Sequence, residues 1–322
     1  IVKSLLIPSL QIYNIPVYLC LMVLPITPSI QEITHSLLTQ KNLRIYVVRE
    51  DMLHPDISGN KWRKLYYNIE AAKQQKAATL ITFGGAYSNH ITATAAVGKE
   101  FGFKTIGFIR GEEHFPLNPS LSFAVSCGMK IYYLSRTDYK RKDQPEFLTE
   151  LLSTHKNYYL IPEGGTNGLA VKGCQEILQD IPFDFDTVCC ACGTGGTLSG
   201  LINSLQPHQQ AIGFPALKGA GFLNDVIGTY VRNSQWKLNL DYHFGGYAKV
   251  TTELIAFINF FKHNFKIPLD PIYTGKMLFG IWELIKKDYF REGSSVVIIH
   301  TGGLQGIEGM NERTKNKDLQ IL

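Results

Sequence analysis

Short apolar runs rich in β-branched residues alternate with longer stretches of helical periodicity along most of this chain. The short runs predict strands at Arg44–Val48, Thr79–Phe83, Lys104–Ile109, Lys130–Leu134, Tyr158–Ile161, Thr187–Ala191, Ala211–Phe214 and Val296–His300. The intervening segments predict helices at Leu65–Gln75, Asn89–Phe101, Ser120–Cys127, Pro145–His155, Gly168–Gln179, Thr197–Leu205, Gly219–Tyr230, Thr251–Phe265 and Gly275–Lys287. This alternation predicts an α/β fold in which mostly parallel sheets are wrapped by helices.

The length of 322 residues is enough for two domains. Residues 76–162 contain about four strand–helix units and are predicted to form a small substrate domain. Residues 26–75 and 163–322 would form a larger cofactor-binding domain that the chain enters twice. Residues 1–25 are interpreted as a non-core N-terminal extension, because the apolar stretch Ile15–Pro25 is too short to span a bilayer. A secretory signal is the alternative for this segment, although no typical cleavage site follows it.

Composition narrows the class of protein. Hydrophobic residues make up 45% of the chain and charged residues 18%, as in a globular protein with a large core. The net charge of +5 is spread thinly, and the basic runs 140–142 and 315–317 lack interleaved aromatic residues, which argues against nucleic-acid binding. The six cysteines form no Cys-x-x-Cys pair, so neither a metal site nor a disulfide framework is expected. Free thiols fit a reducing compartment, and a cytoplasmic location is the prediction.

The segment Ser58-Gly59-Asn60-Lys61 lies between a predicted strand and a predicted helix. Asn60 is favourable at a helix entry, which places Lys61 at a helix N-terminus. The helix dipole disfavours a cation there, and burial in a cleft would push the amine further towards its neutral, nucleophilic form. Taken alone, a solvated lysine at the start of a helix is the simpler explanation.

Two glycine-containing loops follow predicted strands. In the first, Ser88 and Asn89 are good N-cap residues, so free backbone N–H groups would bind a carboxylate or phosphate; a simple helix cap is the alternative. The second is a predicted phosphate cradle formed by Gly193, Thr194, Gly195, Gly196 and Thr197. It matches neither the dinucleotide-binding pattern, because Leu198 stands where a glycine is needed, nor a P-loop.

Three further hydroxyls stand at turns. Tyr247 follows Gly246, Tyr273 lies two residues before Gly275, and each is either an active-site phenol or a packing residue. Thr301 follows the strand at Val296–His300. An amine, a phosphate cradle, a carboxylate-binding helix start and a hydroxyl at a sheet end are together what pyridoxal 5′-phosphate and an amino acid substrate need. In this interpretation Lys61 bonds to the cofactor aldehyde and Thr301 meets the pyridine nitrogen.

From about Pro28 to Glu312, the chain resembles the fold-type II pyridoxal-phosphate enzymes, in particular the D-cysteine desulfhydrase / 1-aminocyclopropane-1-carboxylate deaminase family. The matching motifs are Gly59-Asn60-Lys61-x-Arg63-Lys64-Leu65, Ser88-Asn89-His90, Gly193-Thr194-Gly195-Gly196-Thr197, Tyr273-Thr274-Gly275-Lys276 and His300-Thr301-Gly302-Gly303. The resemblance implies a two-domain, tryptophan-synthase-β-like fold and a homodimer. It also implies a role for Lys61 as the cofactor lysine, for Ser88, Asn89 and His90 at the substrate carboxylate, for Tyr247 and Tyr273 beside the substrate, and for Thr301 at the pyridine nitrogen.

Two positions distinguish the branches of that family. The cyclopropane deaminases typically carry Glu after the motif tyrosine and Leu after the motif histidine, where this chain has Thr274 and Thr301, as in the desulfhydrase-like branch. Tyr87 stands where Gln is common, and Trp62 replaces a small residue, so the size of the substrate is left open.

The resemblance therefore predicts β-elimination from a D-amino acid such as D-cysteine, giving pyruvate, ammonia and sulfide. A threonine hydroxyl does not hold the pyridine nitrogen protonated as a carboxylate would, and the resulting moderate electron sink suits such an elimination. The alternatives are a cyclopropane-carboxylate deaminase giving 2-oxobutyrate and ammonia, another β-substituted D-amino acid as substrate, a catalytically silent cofactor-binding protein and, more distantly, a nucleotide-binding protein.

Overall fold

The computed structural model describes residues 27–315 and 319–322; the predicted extension at residues 1–25 lies outside this range. In chain order the strands are β1 Ile30–Ile33, β2 Arg44–Val48, β3 Thr79–Gly85, β4 Lys104–Arg110, β5 Lys130–Leu134, β6 Tyr158–Ile161, β7 Thr187–Cys192, β8 Gln210–Pro215, β9 Trp236–Leu238 and β10 Ser295–Ile299. The helices are α1 Ser36–Gln40, α2 Asn60–Gln74, α3 Asn89–Phe101, α4 Pro119–Ser126, α5 Arg136–Tyr139, α6 Pro145–Leu152, α7 Gly168–Gln175, α8 Gly196–Asn203, α9 Leu223–Gly228, α10 Thr252–Phe265, α11 Thr274–Lys286 and α12 Gly306–Thr314.

The larger sheet has six strands in the order β1-β2-β10-β7-β8-β9. All its pairs are parallel except that of the edge strand β1 with β2. The central strands β10 and β7 are buried along their whole length. Their continuous apolar sequences, including Val296–Ile299, therefore follow from burial on both faces of a parallel sheet.

The smaller sheet has four parallel strands in the order β5-β4-β3-β6. Its strands all come from residues 79–161, whereas those of the larger sheet come from residues 30–48 and 187–299. The chain thus leaves the larger sheet after β2 and returns to it at β7. The exact domain boundaries at residues 75/76 and 162/163 stay predictions.

Separate apolar clusters cover the two faces of the larger sheet. On one face, α10 and α11 contribute buried side chains such as Phe261 and Met277. On the other, α8 contributes Leu198 and Leu201, which pack with Cys190 and Cys192 of β7. The carboxyl ends of the strands are left for polar loops, which is where ligands bind in sheets of this kind.

Local sequence explains where the site-forming helix α3 begins and ends. The Ser88 Oγ accepts hydrogen bonds from the His90 and Ile91 backbone N–H groups and caps the helix N-terminus. The helix ends at Gly102, which adopts a left-handed conformation with φ of 77°. The predicted span Asn89–Phe101 is therefore confirmed.

The start of α2 was predicted wrongly from periodicity and correctly from the residues around Lys61. The amphipathic pattern begins at Leu65, but the helix begins at Asn60, so Lys61 lies in its first turn. Polar residues of this turn are buried because they have partners: the Arg63 guanidinium contacts the buried carboxylate of Glu50 at 2.9 Å and that of Asp180 at 2.5 Å. Sequence periodicity missed this turn because these ion pairs involve residues far apart in the chain.

Short elements were also missed, namely β1, α1, α5, β9 and α12, since three to nine residues give little periodic signal. Between residues 27 and 315, none of the helices combines the length and apolar character needed to cross a bilayer. The five cysteines within the described ranges are all free thiols, and burial raises the pKa of Cys189 above its ordinary value.

Candidate active site

A single cavity gathers nearly all the residues singled out from the sequence. It lies where the loop after β3, the start of α2 and the loops after β7 and β10 come together, and it is lined by Lys61, Ser88, Asn89, His90, Gly193, Thr194, Gly195, Thr197, Tyr247, Tyr273 and Thr301. Gly196 is not among the lining residues; it is the first residue of α8 and packs against Thr166. Segments more than 200 residues apart in sequence thus share one cavity.

Two hydrogen bonds join the Lys61 amine to the glycine loop. The Lys61 Nζ donates to the Asn60 Oδ1 at 3.0 Å, and the Asn60 Nδ2 donates to the Thr197 Oγ1 at 2.7 Å. The Asn60 backbone N–H in turn donates to the carbonyl of Thr301 at 3.3 Å. Asn60 was expected to cap its helix, but Gly59 stands at the N-cap position. Asn60 instead fixes the amine relative to the glycine loop and to Thr301.

The residue before Asn60 has to be glycine. Gly59 has φ of 65°, and a Cβ at this position would lie 2.0 Å from the Thr301 carbonyl oxygen. Any side chain would separate the start of α2 from the end of β10. The close approach of these two backbones brings Lys61 and Thr301 into the same cavity.

The site makes Lys61 a far better nucleophile than an ordinary lysine. Burial, and secondarily the positive charge of Lys64, lower the pKa of Lys61 from 10.5 to about 7. A large fraction of the amine is then neutral at physiological pH, as an aldehyde-binding lysine requires. The sequence predicted this direction, but its main cause is removal from water rather than the helix terminus.

Lys64 is a residue whose role sequence reasoning missed. It is 2% exposed, and its Nζ donates to the Gly164 carbonyl and the Thr166 Oγ1, both at 2.9 Å, and to the Thr194 Oγ1 at 3.4 Å. Burial lowers its pKa. The available signal was its spacing, because residues three apart on a helix share a face and Lys64 is three residues after Lys61.

The glycine loop has the features of an anion-binding cradle. Gly195 adopts a left-handed conformation with φ of 80°, and a Cβ at Gly196 would lie 2.8 Å from Thr166. Among the described residues, no side chain caps the N-terminus of α8. The backbone N–H groups of its first turn are therefore available to an anion bound at the glycine loop. With the Lys64 ammonium and the Thr194 hydroxyl beside them, these donors fit the phosphate group of pyridoxal phosphate.

At the start of α3, one detail differs from expectation. The His90 and Ile91 N–H groups were expected to point free into the cleft, but the Ser88 Oγ already accepts hydrogen bonds from both. The Ser88 hydroxyl itself lines the cavity, as does Asn89. An anion bound here would therefore meet side-chain donors, because the capping serine occupies the backbone ones.

His90 is buried beneath this wall of the cavity. Its Nε2 lies 2.7 Å from the Thr82 Oγ1, and that hydroxyl donates to the Ile161 carbonyl. The Nε2 must then carry the ring hydrogen, which leaves the Nδ1 as an acceptor without a partner among the described residues. Burial and the neighbouring lysines hold the pKa of His90 well below 6.5, so the ring is neutral.

The opposite wall carries two tyrosines. A Cβ at Gly193 would lie 3.3 Å from the Tyr273 hydroxyl, so this phenol sits directly on the glycine loop. The rings of Tyr247 and Tyr273 lie 6.2 Å apart between centroids. Burial raises the pKa of Tyr273 well above 10, so its hydroxyl keeps its proton at neutral pH.

Two buried ionisable residues to which sequence reasoning assigned no role hold these tyrosines. Asp270 accepts hydrogen bonds from the backbone N–H groups of Tyr273 and Thr274, and also from the Thr274 hydroxyl. The Lys276 Nζ donates to the Gly246 carbonyl at 2.7 Å, which fastens the residue before Tyr247. Burial lowers the pKa of Lys276 to about 8. Within residues 27–315 and 319–322, no three His, Cys, Asp or Glu side chains group as a metal site would.

Comparison with known proteins agrees with this geometry. A profile described as "Pyridoxal-phosphate dependent enzyme" matches residues 27–302. A Pyrococcus furiosus protein, whose provisional name is 1-aminocyclopropane-1-carboxylate deaminase, is 34% identical over 81% of this chain and 85% of its own length. The D-cysteine desulfhydrase of Klebsiella pneumoniae is 28% identical over 80% of this chain and 86% of its own. A crystal structure described as an ACC deaminase homologue superimposes with a TM-score of 0.76 at 27% identity, over 92% of this chain and 94% of that one.

Proposed function

This chain belongs to the family of pyridoxal-phosphate dependent enzymes, with the fold-type II architecture, and on that premise we propose that it eliminates the β-substituent of a small amino acid. The proposed substrate is D-cysteine, which reacts with water to give pyruvate, ammonia and sulfide. The D configuration rests on similarity to proteins named D-cysteine desulfhydrase.

One observation supports this proposal above all. The Lys61 amine, with its pKa near 7, is hydrogen-bonded through Asn60 to Thr197 of the glycine loop, in the cavity that Tyr273 also lines. A neutral amine, an anion cradle and a protonated phenol are thereby held together. These are the parts needed to bind the cofactor, remove a proton from the substrate and protonate a leaving group.

When bound, pyridoxal phosphate stabilises negative charge on the substrate carbon that carries the amino group. The residues that would hold it are Lys61 at the aldehyde, the loop Gly193–Thr197 with Lys64 at the phosphate, and Thr301 at the pyridine nitrogen. Ser88 and Asn89 would bind the substrate carboxylate through their side-chain donors.

The proton movements are assigned to two side chains. The neutral Lys61 Nζ accepts the proton from the substrate Cα. The Tyr273 hydroxyl, which burial keeps protonated, donates its proton to the departing sulfur. Sulfur departs more readily as a neutral thiol than as a thiolate anion, so this proton donor accelerates carbon–sulfur cleavage.

The choice of elimination over ring opening rests on residues 274 and 301. Cyclopropane deaminases typically carry Glu at position 274, whereas this chain has a threonine there, which is fully buried and donates to Asp270. Thr301 offers a hydroxyl to the cavity. The names of the Pyrococcus relative and of the superimposed structure favour the second candidate, a 1-aminocyclopropane-1-carboxylate deaminase.

A screen of product release separates the two candidates. Purified enzyme is incubated with D-cysteine, L-cysteine, β-chloro-D-alanine and 1-aminocyclopropane-1-carboxylate, and pyruvate and 2-oxobutyrate are measured. We expect pyruvate from the D-amino acids and at least a hundredfold lower kcat/KM for the cyclopropane acid. Release of 2-oxobutyrate as the faster reaction would replace the proposed function by the deaminase. Lys61→Ala should abolish turnover, whereas Lys73→Ala, on the exposed side of the same helix, should not.

We also propose that the enzyme acts as a homodimer in the cytoplasm. The family resemblance supports the dimer, and the free buried cysteines of β7 fit a reducing compartment. Light scattering at micromolar concentration should give twice the chain mass, and a monomer mass would contradict the proposal. Immunoblotting of cell fractions should detect the protein in the cytoplasmic fraction.

A further inference from the structure

Tyr87 lies between two separate spaces in the molecule. It lines the cavity that contains Lys61, and it also lines an outer groove of about 960 Å³. The groove runs between the start of α4 and the last helix, α12. Its side chain is 43% exposed, so it borders both spaces without being enclosed by either.

The position of the Tyr87 ring is fixed from one side by α12. Gly309 of that helix lies flat against the ring: a Cβ at residue 309 would be 2.4 Å from the Tyr87 Cε1 and 2.8 Å from its Cδ1. Only glycine leaves room for the ring there. The aromatic ring and the glycine thus form a matched contact that closes the gap between the loop after β3 and α12.

The backbone around Tyr87 is held from the other side. The Ser88 N–H donates to the Gly85 carbonyl at 3.0 Å, which closes a tight turn around Tyr87. The Asn118 Nδ2 donates to the Ala86 carbonyl at 3.1 Å, and the same side chain caps α4. The ring therefore cannot move aside with its loop unless these bonds break.

We propose that Tyr87 is a specificity-determining residue whose ring closes the reaction cavity against the outer groove and restricts the substrate to small β-substituents. The inference rests on the proposed function for the reaction it restricts. Tyr87 lines the same cavity as Ser88 and Asn89, which are assigned to the substrate carboxylate, so its ring would border the bound substrate. Removal of the ring joins the two spaces, and a bulky side chain would then extend into the groove.

The test compares a small and a bulky substrate in the same reaction. S-phenyl-D-cysteine and water give pyruvate, ammonia and thiophenol: the carbon–sulfur bond breaks, sulfur keeps the electron pair and takes up a proton, and no oxidant is needed. Tyr87→Ala should raise kcat/KM for this substrate relative to D-cysteine at least tenfold, since a single methylene is worth ten- to 200-fold in a closed pocket. Tyr87→Phe keeps the ring and should show the wild-type ratio of the two kcat/KM values.

A binding measurement tests the same wall without turnover. D-alanine and D-phenylalanine lack a β-leaving group, and calorimetric titration gives the ratio of their Kd values. The ratio should shift at least tenfold in favour of D-phenylalanine in Tyr87→Ala and stay unchanged in Tyr87→Phe. If the wild type releases no pyruvate from any amino acid, the proposed function fails, but this ratio still decides the role of Tyr87.

Gly309→Ala offers a second variant that leaves Tyr87 in place. Its new methyl group must displace the ring, so Gly309→Ala should change the Kd ratio of the wild type. In the Tyr87→Ala background the same substitution should leave the Kd ratio unchanged, because the effects of two residues that act through one contact are not additive. Equal Kd ratios in the wild type and Tyr87→Ala would overturn the proposal. An effect of Gly309→Ala that persists without the ring would also overturn it.

Discussion

The low pKa of Lys61 leads to a measurable pH profile. In cofactor-free protein, a group with a pKa of about 7 is neutral in about half of the molecules at pH 7, whereas at the ordinary value of 10.5 it would be neutral in about one in 3000. At pH 7 the neutral, reactive fraction of Lys61 should therefore be roughly a thousandfold larger than that of a lysine with the ordinary pKa.

The perturbation is Lys64→Met. The Lys64 charge is the second largest cause that lowers the Lys61 pKa. Its removal relieves repulsion of the protonated Lys61 amine, so the protonated form persists to higher pH and the pKa rises. The reaction profile of Lys61 should move to higher pH. Lys73→Met is the matched control, because Lys73 lies on the same helix but is exposed and paired with Glu70.

Competitive labelling provides the assay. Trace acetic anhydride is added to cofactor-free protein between pH 5 and 10, and the acetylated fraction of each lysine is read by mass spectrometry of peptides. We expect a midpoint near pH 7 for Lys61, an upward shift in Lys64→Met and no shift in Lys73→Met. A Lys61 midpoint above pH 9, or a downward shift in Lys64→Met, would refute the reasoning.

Three further predictions concern stability, chemistry and cofactor binding. Arg63→Met leaves a buried carboxylate unpaired and should lower the free energy of unfolding by about 3–5 kcal/mol in urea titrations, whereas loss of the exposed Arg291 pair should cost less than about 1 kcal/mol. Tyr273→Phe should lower kcat about a hundredfold for D-cysteine but much less for β-chloro-D-alanine, because chloride leaves without a proton; equal losses would exclude a donor role. Gly195→Ala forces a residue with a Cβ into a left-handed conformation and should weaken cofactor binding about tenfold in a titration, while Gly228→Ala, with open space around it, should not.

Sequence reasoning predicted the parts of the site that strand ends determine. Gly193 and Thr301 each follow a buried parallel strand, and the carboxyl ends of such strands meet at one edge of a sheet. Their shared cavity with Lys61 followed from that rule and from the family motifs. The two sheets and the helix Asn89–Phe101 were predictable because long periodic runs carry the strongest signal.

The contacts that tune the site were not predictable. Lys64 binds the Gly164 carbonyl, 100 residues away, and Asn60 binds Thr197, 137 residues away. A local sequence pattern cannot predict contacts between residues so far apart in the chain. Periodicity missed the first turn of α2, which only the residues around Lys61 indicated, since its buried Arg63 depends on carboxylates from two other segments.

The lysine that bonds to the cofactor can be identified directly. Holoenzyme is reduced with borohydride and digested, and the pyridoxyl-modified peptide is sequenced by mass spectrometry. We expect the modification on Lys61 and its loss, together with the cofactor absorbance, in Lys61→Ala. Modification of Lys64 or Lys276 in the wild type, with Lys61 unmodified, would contradict this expectation.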